Sequence, residues 1–391
     1  MLTCIENVTI YTEDNIIPNG TIVVDNEKII GIDDSSVSYK NATVIDGSNL
    51  SAIPGYIDTH CHGGAGFDCN DAELDSITGM RDFYGNHGIT SLYPTLSANA
   101  IPDAINGLET IRQAMRQNRI GQTEICGCHL EGPFLNKAYK GCQAEQHIIP
   151  LNDEYLQLYE SYKDVIKRTT IAPEVGRNVT YFPALNQMGI QVSIGHSCAE
   201  YKEIEYAVSQ GATSVTHLYN AMSQTKKVGA FRIGGVVEAG LTIDDLYAEI
   251  IADGYHLPNE LIQIAYRCKG ADKLTVCSDA NCAAGGVNGD IFHTCGVAFV
   301  IEQGVAMNLE RTSFASSISP IDSMVRHLIF NVKLPAFDVV KMTSISTARM
   351  MRIDDRKGSI AVGKDADINL VDSQFNVITT FCRGVPTGFT G

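Results

Sequence analysis

Between about residues 53 and 356, short apolar segments that read as buried strands alternate with stretches of helical periodicity. Eight such strands can be counted, ending near Asp58, Thr95, His129, Pro173, Ile194, Thr216, Ala252 and Ser278. Helix-like segments separate them, among them Ala72–Asn86, Glu200–Ser209 and Asn259–Cys268. Strands that are apolar on both faces and joined by helical crossovers belong to a parallel sheet, because a parallel pair needs a long connection and cover on both sides. Eight such units in roughly 300 residues predict an α/β fold closed into a (β/α)8 TIM barrel, which typically takes about 250 residues plus insertions.

Both ends of the chain have a different pattern. Val8-Thr9-Ile10, Thr21-Ile22-Val23-Val24, Lys28-Ile29-Ile30-Gly31 and Thr43-Val44-Ile45 alternate like short strands, with turn signals at Pro18-Asn19-Gly20 and Asp25-Asn26. This predicts a small antiparallel sheet. Gly358-Ser359-Ile360, Ala366–Val371 and Val377–Phe381 repeat the pattern near the other end. Paired, the two ends predict a small β-sandwich domain from residues 1–52 plus 357–391, flanking a barrel of residues 53–356.

The formal charge of 29 − 45 = −16 argues against nucleic-acid and anionic-membrane partners, and it requires that any anionic substrate be held by local positive groups. No apolar run approaches the ~20 residues that span a bilayer. The opening MLTCIENVTIYTEDN carries acidic residues where a signal peptide would be basic, so a cytoplasmic protein is expected. Twelve cysteines in that setting read as reduced thiols. Cys126-Gly127-Cys128 reads as alternation along a barrel strand, since no second cysteine pair stands at finger spacing.

A TIM barrel carries its active site at the C-terminal ends of its strands. Those ends offer His60 and His62 after the first strand, Glu131 after the third, His196 after the fifth, His217 after the sixth and Asp279 after the eighth. Imidazole with carboxylate is the ligand set of Zn or Fe. On an extended strand end His60 and His62 point to one side, and Cys61 points the other way into packing. Glu174, at the end of the fourth strand, reads as a supporting or structural carboxylate. His87 and His327, on helix-like stretches, read as surface or packing residues, and His293, in a turn-rich segment, is assigned no role.

Several segments resemble N-acetylglucosamine-6-phosphate deacetylases of the amidohydrolase superfamily. Pro54-Gly55-Tyr56-Ile57-Asp58-Thr59-His60-Cys61-His62-Gly63 is similar to the superfamily's HxH strand, and His129-Leu130-Glu131-Gly132-Pro133-Phe134 to the deacetylases' metal-bridging glutamate segment. Ser193-Ile194-Gly195-His196-Ser197 and Thr216-His217-Leu218-Tyr219-Asn220-Ala221-Met222 resemble the two histidine segments. Ala252-Asp253-Gly254-Tyr255-His256 resembles a substrate-binding stretch, and Cys277-Ser278-Asp279-Ala280 the catalytic aspartate. The tail Gly358–Asp367 resembles the return to the β domain. HLEGPF and THLYNAM are the specific signals, and the order is kept along nearly the whole chain.

The resemblance implies hydrolysis of a linear acetamide, most simply that of N-acetylglucosamine-6-phosphate, with one or two divalent ions (Zn or Fe) activating water. His60, His62, Glu131, His196, His217 and Asp279 would be ligands, and Asp279 would also be the catalytic acid–base. It implies substrate contacts at Cys142, Gln143, Asn220, Ala221, Arg232, His256 and Ala315, and a homodimer. Three loops depart from the family pattern. Lys140-Gly141-Cys142-Gln143 stands where a histidine is usual, Lys226–Gly235 is longer than its counterpart, and Phe314-Ala315-Ser316-Ser317 matches only loosely. Arg232 is the candidate phosphate contact, and Lys226 and Lys227 read as solvated charges. Alternatives are the N-acetylgalactosamine-6-phosphate reaction, a cyclic amidase, and a barrel kept as a non-catalytic scaffold. Cyclic amidases usually bridge their metals with a carboxylated lysine, whereas the third strand here offers Glu131.

Overall fold

The computed structural model describes residues 2–32, 42–294 and 297–387. Its centre is a parallel barrel of β1 (Tyr56–Cys61), β2 (Ile89–Leu96), β3 (Cys128–Glu131), β4 (Ile166–Ile171), β5 (Gln191–Ile194), β6 (Ala212–Val215), β7 (Tyr247–Ile250) and β8 (Leu274–Val276), hydrogen-bonded in that order. The ring closes just beyond β8, where Asp279 N–H donates to the His60 carbonyl at 2.9 Å and His62 N–H to the Ala280 carbonyl at 2.8 Å. Residues of the site are therefore part of the seam that closes the barrel. The eight-strand expectation holds, with ends displaced by a few residues. Every residue of β1 and β2 is buried, the polar Asp58, Thr59, His60, Thr90, Ser91 and Thr95 included, which is why neither strand shows the apolar–polar alternation of a half-exposed one.

Helices α1 (Leu74–Gly85), α2 (Ile101–Arg116), α3 (Asp153–Ser161), α4 (Phe182–Gln187), α5 (Tyr201–Ser209), α6 (Val236–Thr242), α7 (Asn259–Lys273) and α8 (Ile321–Phe330) follow the strands in turn. In α2 the residues Ala104, Gly107, Leu108, Ile111 and Ala114 are buried at helical spacing, with Asp103 in the first turn and Arg116 in the last. A Cβ on Gly107 would fall 2.8 Å from Leu96 Cδ2, so glycine sets the closeness of α2 to β2. Among the described residues, no helix is long and apolar enough to cross a membrane.

The two ends of the chain share one eight-stranded sheet. Leu2–Tyr11 pairs antiparallel with Ile16–Asp25, but parallel with Thr43–Asp46 and Ser51–Pro54. Ser51–Pro54 in turn pairs antiparallel with Ile368–Val371. The sheet is thus mixed, where a small antiparallel one was expected. Local alternation reports which face a residue occupies and carries no information on strand direction. Ile5, Ile10, Ile22, Ile29, Ile368 and Phe381 form its own small core. An ionic cluster joins this end to the barrel. Lys357, 1% exposed, reaches Asp367 at 2.6 Å, Glu124 at 3.0 Å and Asp365 at 3.2 Å.

Two insertions stand at the C-terminal face of the barrel. A hairpin of Lys226–Val228 and Phe231–Ile233 follows β6, and an antiparallel sheet of Ile291–Thr294, Val297–Glu302 and Val305–Asn308 follows β8. The segment that reads as turn-rich around His293 is therefore a strand. Gln303 and Gly304, both left-handed, make the turn between the second and third strands of that sheet.

Candidate active site

Six side chains from five strands meet at the barrel mouth. His196, His217 and Asp279 follow β5, β6 and β8, each with left-handed backbone at φ 49°, 32° and 43°. Such conformations are costly for residues with a Cβ and cluster at functional sites. Here they turn each strand end so that its side chain crosses the mouth.

Glu131 is the hub. Its Oε1 lies 3.2 Å from His196 Nε2, 3.3 Å from His217 Nε2 and 3.4 Å from His60 Nε2, and its Oε2 lies 3.2 Å from His62 Nε2. Asp279 Oδ1 is 3.4 Å from Nε2 of both His60 and His62. The Nε2 atoms of His60 and His62 are 3.1 Å apart, and those of His196 and His217 are 3.3 Å apart.

This donor set fits a bound cation. His196 Nδ1 sits 2.8 Å from the Tyr139 carbonyl, which only accepts, so Nδ1 carries a proton; in the neutral tautomer this selects, Nε2 turns a lone pair toward the Glu131 carboxylate. Two acceptors face to face repel unless a positive charge lies between them. The titration behaviour has the same cause. Burial disfavours the His62 imidazolium, yet Asp279 and Glu131 outweigh it and push its pKa up to about 9. His60 is likewise raised, against its burial, by Asp279 and Glu131. Burial alone would raise the carboxyls, but the imidazoles hold Glu131 well below the usual range and Asp279 down to about 2. The ligand atoms fall into two groups that can each hold an ion, His60 with His62 and Asp279, and Glu131 with His196 and His217.

The cluster opens into a cavity of about 320 Å³, within the size range of small-molecule sites. Cys142, Gln143, Asn220, Ala221, His256 and Ala315 all line it. Gln143 is already engaged at both ends, its Oε1 accepting from Ala98 N–H at 2.8 Å and its Nε2 donating to Glu131 Oε2 at 2.6 Å. His256 is held by Asp253 at 2.8 Å and packs on Phe314, their ring centroids 5.0 Å apart. Arg232 lies on the exposed hairpin and does not line the cavity of its own chain. Lys226, beside it, pairs with Glu200 at 3.0 Å. Glu174 bonds Asn136, Ser197 and the Cys198 N–H, shaping the loop after β5. His87 pairs with Asp322, and His327 with Asn259.

Sequence reasoning overlooked Arg168 and Glu249, both wholly buried inside the barrel. The available signal was a charge within a strand otherwise buried, at IKRTTI and YAEI. Ser97 and Tyr139, which touch Nδ1 of His62 and His196, carried no signal at all.

A closed parallel barrel with four imidazoles and two carboxylates gathered at its strand ends is the framework of a metal-dependent hydrolase. The amidohydrolase family model matches residues 51–387. An N-acetylglucosamine-6-phosphate deacetylase of Bacillus subtilis (strain 168) is 31% identical over 384 residues, covering 97% of this chain and 96% of its own length. That of Haemophilus influenzae is 30% identical over 382 residues, with 97% of each chain covered. The crystal structure of N-acetylglucosamine-6-phosphate deacetylase from Pasteurella multocida superposes with a TM-score of 0.93 at 29% identity, over 99% of this chain and 100% of that one. The chain belongs to the amidohydrolase family and, within it, to the N-acetylglucosamine-6-phosphate deacetylases.

Proposed function

We propose that this chain hydrolyses the acetamide of N-acetylglucosamine-6-phosphate to acetate and glucosamine-6-phosphate. The observation that carries the reading is the pair of ligand groups meeting at Glu131 beneath the cavity, in a chain so similar to enzymes of that name. His60, His62 and Asp279 would hold one zinc or iron ion, and Glu131, His196 and His217 a second. A cation bound there supplies acidified water and a polarised amide carbonyl.

The chain's own groups do the remaining work. Asp279, ionised and lining the cavity, takes the proton of the attacking water and returns it to the departing amine. His256, oriented by Asp253, and the Asn220 amide offer polar contacts to the sugar. Cys142, Ala221 and Ala315 shape the wall, and Gln143, held by Ala98 and Glu131, keeps its second Nε2–H for substrate. None of the described lining residues is lysine or arginine. Arg232 must therefore reach the phosphate from a moved hairpin or from a second copy, and a cytoplasmic homodimer would provide the latter. We divide the chain functionally into a catalytic barrel of residues 53–356 and a supporting β domain of 1–52 plus 357–391.

Steady-state comparison of N-acetylglucosamine-6-phosphate, its galactosamine isomer and both unphosphorylated sugars tests the proposal. The first should have the highest kcat/KM. A preference for the isomer or for an unphosphorylated sugar would replace the substrate, and a metal-loaded protein that cleaves none would be a scaffold.

A further inference from the structure

Beneath the ring of strand-end ligands, the barrel interior holds a complete ion pair. Arg168 on β4 and Glu249 on β7 are both 0% exposed. Their contact is bidentate, with 2.5 Å from one guanidinium nitrogen to Oε2 and 2.9 Å from the other to Oε1. Thr59 Oγ1 donates to Glu249 Oε2 at 2.9 Å, and Arg168 also donates to Thr59 Oγ1 at 3.0 Å and Ser193 Oγ at 3.2 Å. The carboxylate is thus fixed from three sides. An apolar pair of similar volume would generally serve barrel stability as well or better, so filling space does not account for it.

Glu249 faces His60. Its Oε1 lies 3.6 Å from His60 Nδ1, longer than a formed hydrogen bond, and that Nδ1 has no other partner among the described residues. The Nε2 of the same ring points into the Glu131–Asp279 cluster. His196 has a backbone carbonyl at this position and His62 a hydroxyl. His60 is the ligand backed by a carboxylate. Cys277 makes a third group of ligand-type atoms with His60 and Glu249, but there Arg168 already supplies the positive charge.

We propose that Glu249, clamped by Arg168, is the positioning residue of His60, holding the proton on Nδ1 so that Nε2 offers its lone pair to the ion shared with His62 and Asp279. The inference rests on the reading of His60 as a ligand. A carboxylate behind a ligand imidazole fixes its tautomer and raises its basicity, and losing such a partner typically weakens metal binding by about 10–100-fold. The effect should fall on one ion. The ion of Glu131, His196 and His217 draws instead on the Tyr139 carbonyl behind His196, while His217 Nδ1 has no partner among the described residues.

The test reloads metal-free protein with zinc and measures equivalents and affinities by competition with a chromogenic chelator. Wild type should bind two equivalents. Glu249→Gln should keep one at wild-type affinity and bind the other roughly 10–100-fold more weakly. The double variant Arg168→Met/Glu249→Leu should do the same while leaving no unpaired buried charge, and it decides the matter if the single variant misfolds. In a His60→Asn background, Glu249→Gln should change nothing further. A folded variant that loads both ions as wild type does, or weakens both alike, would make the pair purely structural. Wild type that binds a single equivalent would instead overturn the two-ion reading itself.

Discussion

Replacing Asp279 by Asn tests the assignment of proton transfer. The two residues have nearly the same shape, and the Asp279 N–H that helps to close the barrel is kept in the variant. The contacts with His60 Nε2, His62 Nε2 and Ser316 Oγ, at 3.4, 3.4 and 3.2 Å, all fall on Oδ1. An amide oxygen can occupy that position, so some ligand capacity survives. The lost feature is the charge and the basic second oxygen of a carboxylate that lines the cavity. Losing a positioned proton-transfer group costs about 10²–10⁴ in rate, or roughly 2.7–5.4 kcal/mol at 1.36 kcal/mol per decade. Turnover should be followed by release of free amine, with metal content measured on the same sample. The expected result is a fall in kcat of that size with KM little changed and metal retained. Turnover within a few-fold of wild type would mean that the proton travels by another group. Full recovery in excess metal would reduce Asp279 to a ligand.

Arg232→Ala should raise KM for the phosphorylated sugar by the equivalent of about 1.5–3 kcal/mol, the size of a charged hydrogen bond, and leave an unphosphorylated acetamide unaffected. Equal losses on both substrates would make Arg232 structural. Lys357→Met should destabilise the folded chain by about 3–5 kcal/mol, because it leaves Asp367 buried without its cation. Chemical unfolding measures this, and a change below about 1 kcal/mol would show that Arg356 and Arg383 already neutralise the cluster.

The barrel was legible because its strands are largely buried on both faces, so that they read as short β-prone runs bounded by turns and helical stretches. The ligand set was legible because the fold brings all strand ends to one mouth. Once the eight strands are placed, His60, Glu131, His196, His217 and Asp279 need no further geometry to be put together. Ser51–Pro54 was missed as a strand. It is four residues long, ends in proline, and its partners lie at Thr9–Ile10 and Ile368–Val371. The link between Arg168 and Glu249 was hidden for a similar reason. The residues stand 81 apart on non-adjacent strands, and only barrel closure brings them opposite each other. Arg232 marks the limit of reading a loop by resemblance, since its glycine-flanked setting fits a solvent-exposed hairpin turn as well as a ligand approach.

The charge of the site also bears on how an acidic chain can take an anionic substrate. Two unit charges 4 Å apart at an effective dielectric near 20 interact by about 4 kcal/mol, so one uncompensated carboxylate at the cavity wall would weigh heavily against a phosphate. The structure leaves few of them uncompensated. Glu249 is matched by Arg168, and Asp253, held low by His256 against its burial, is matched by that ring. Glu131 and Asp279 are set among imidazoles and the cation they favour. Charges spread over the rest of the surface act beyond the roughly 8 Å screening length of physiological salt, so the net −16 contributes little at the site. Phosphate recognition then turns on a few groups near the outer end of the cavity. Of the imidazoles in the described lining, His256 alone lies outside the ion cluster, and its Nδ1 is already taken up by the Asp253 carboxylate at 2.8 Å, so the pair adds no net positive charge. A full positive charge has to come from outside the described lining. That makes the Arg232 substitution a test of how the cavity is completed, and not only of one contact.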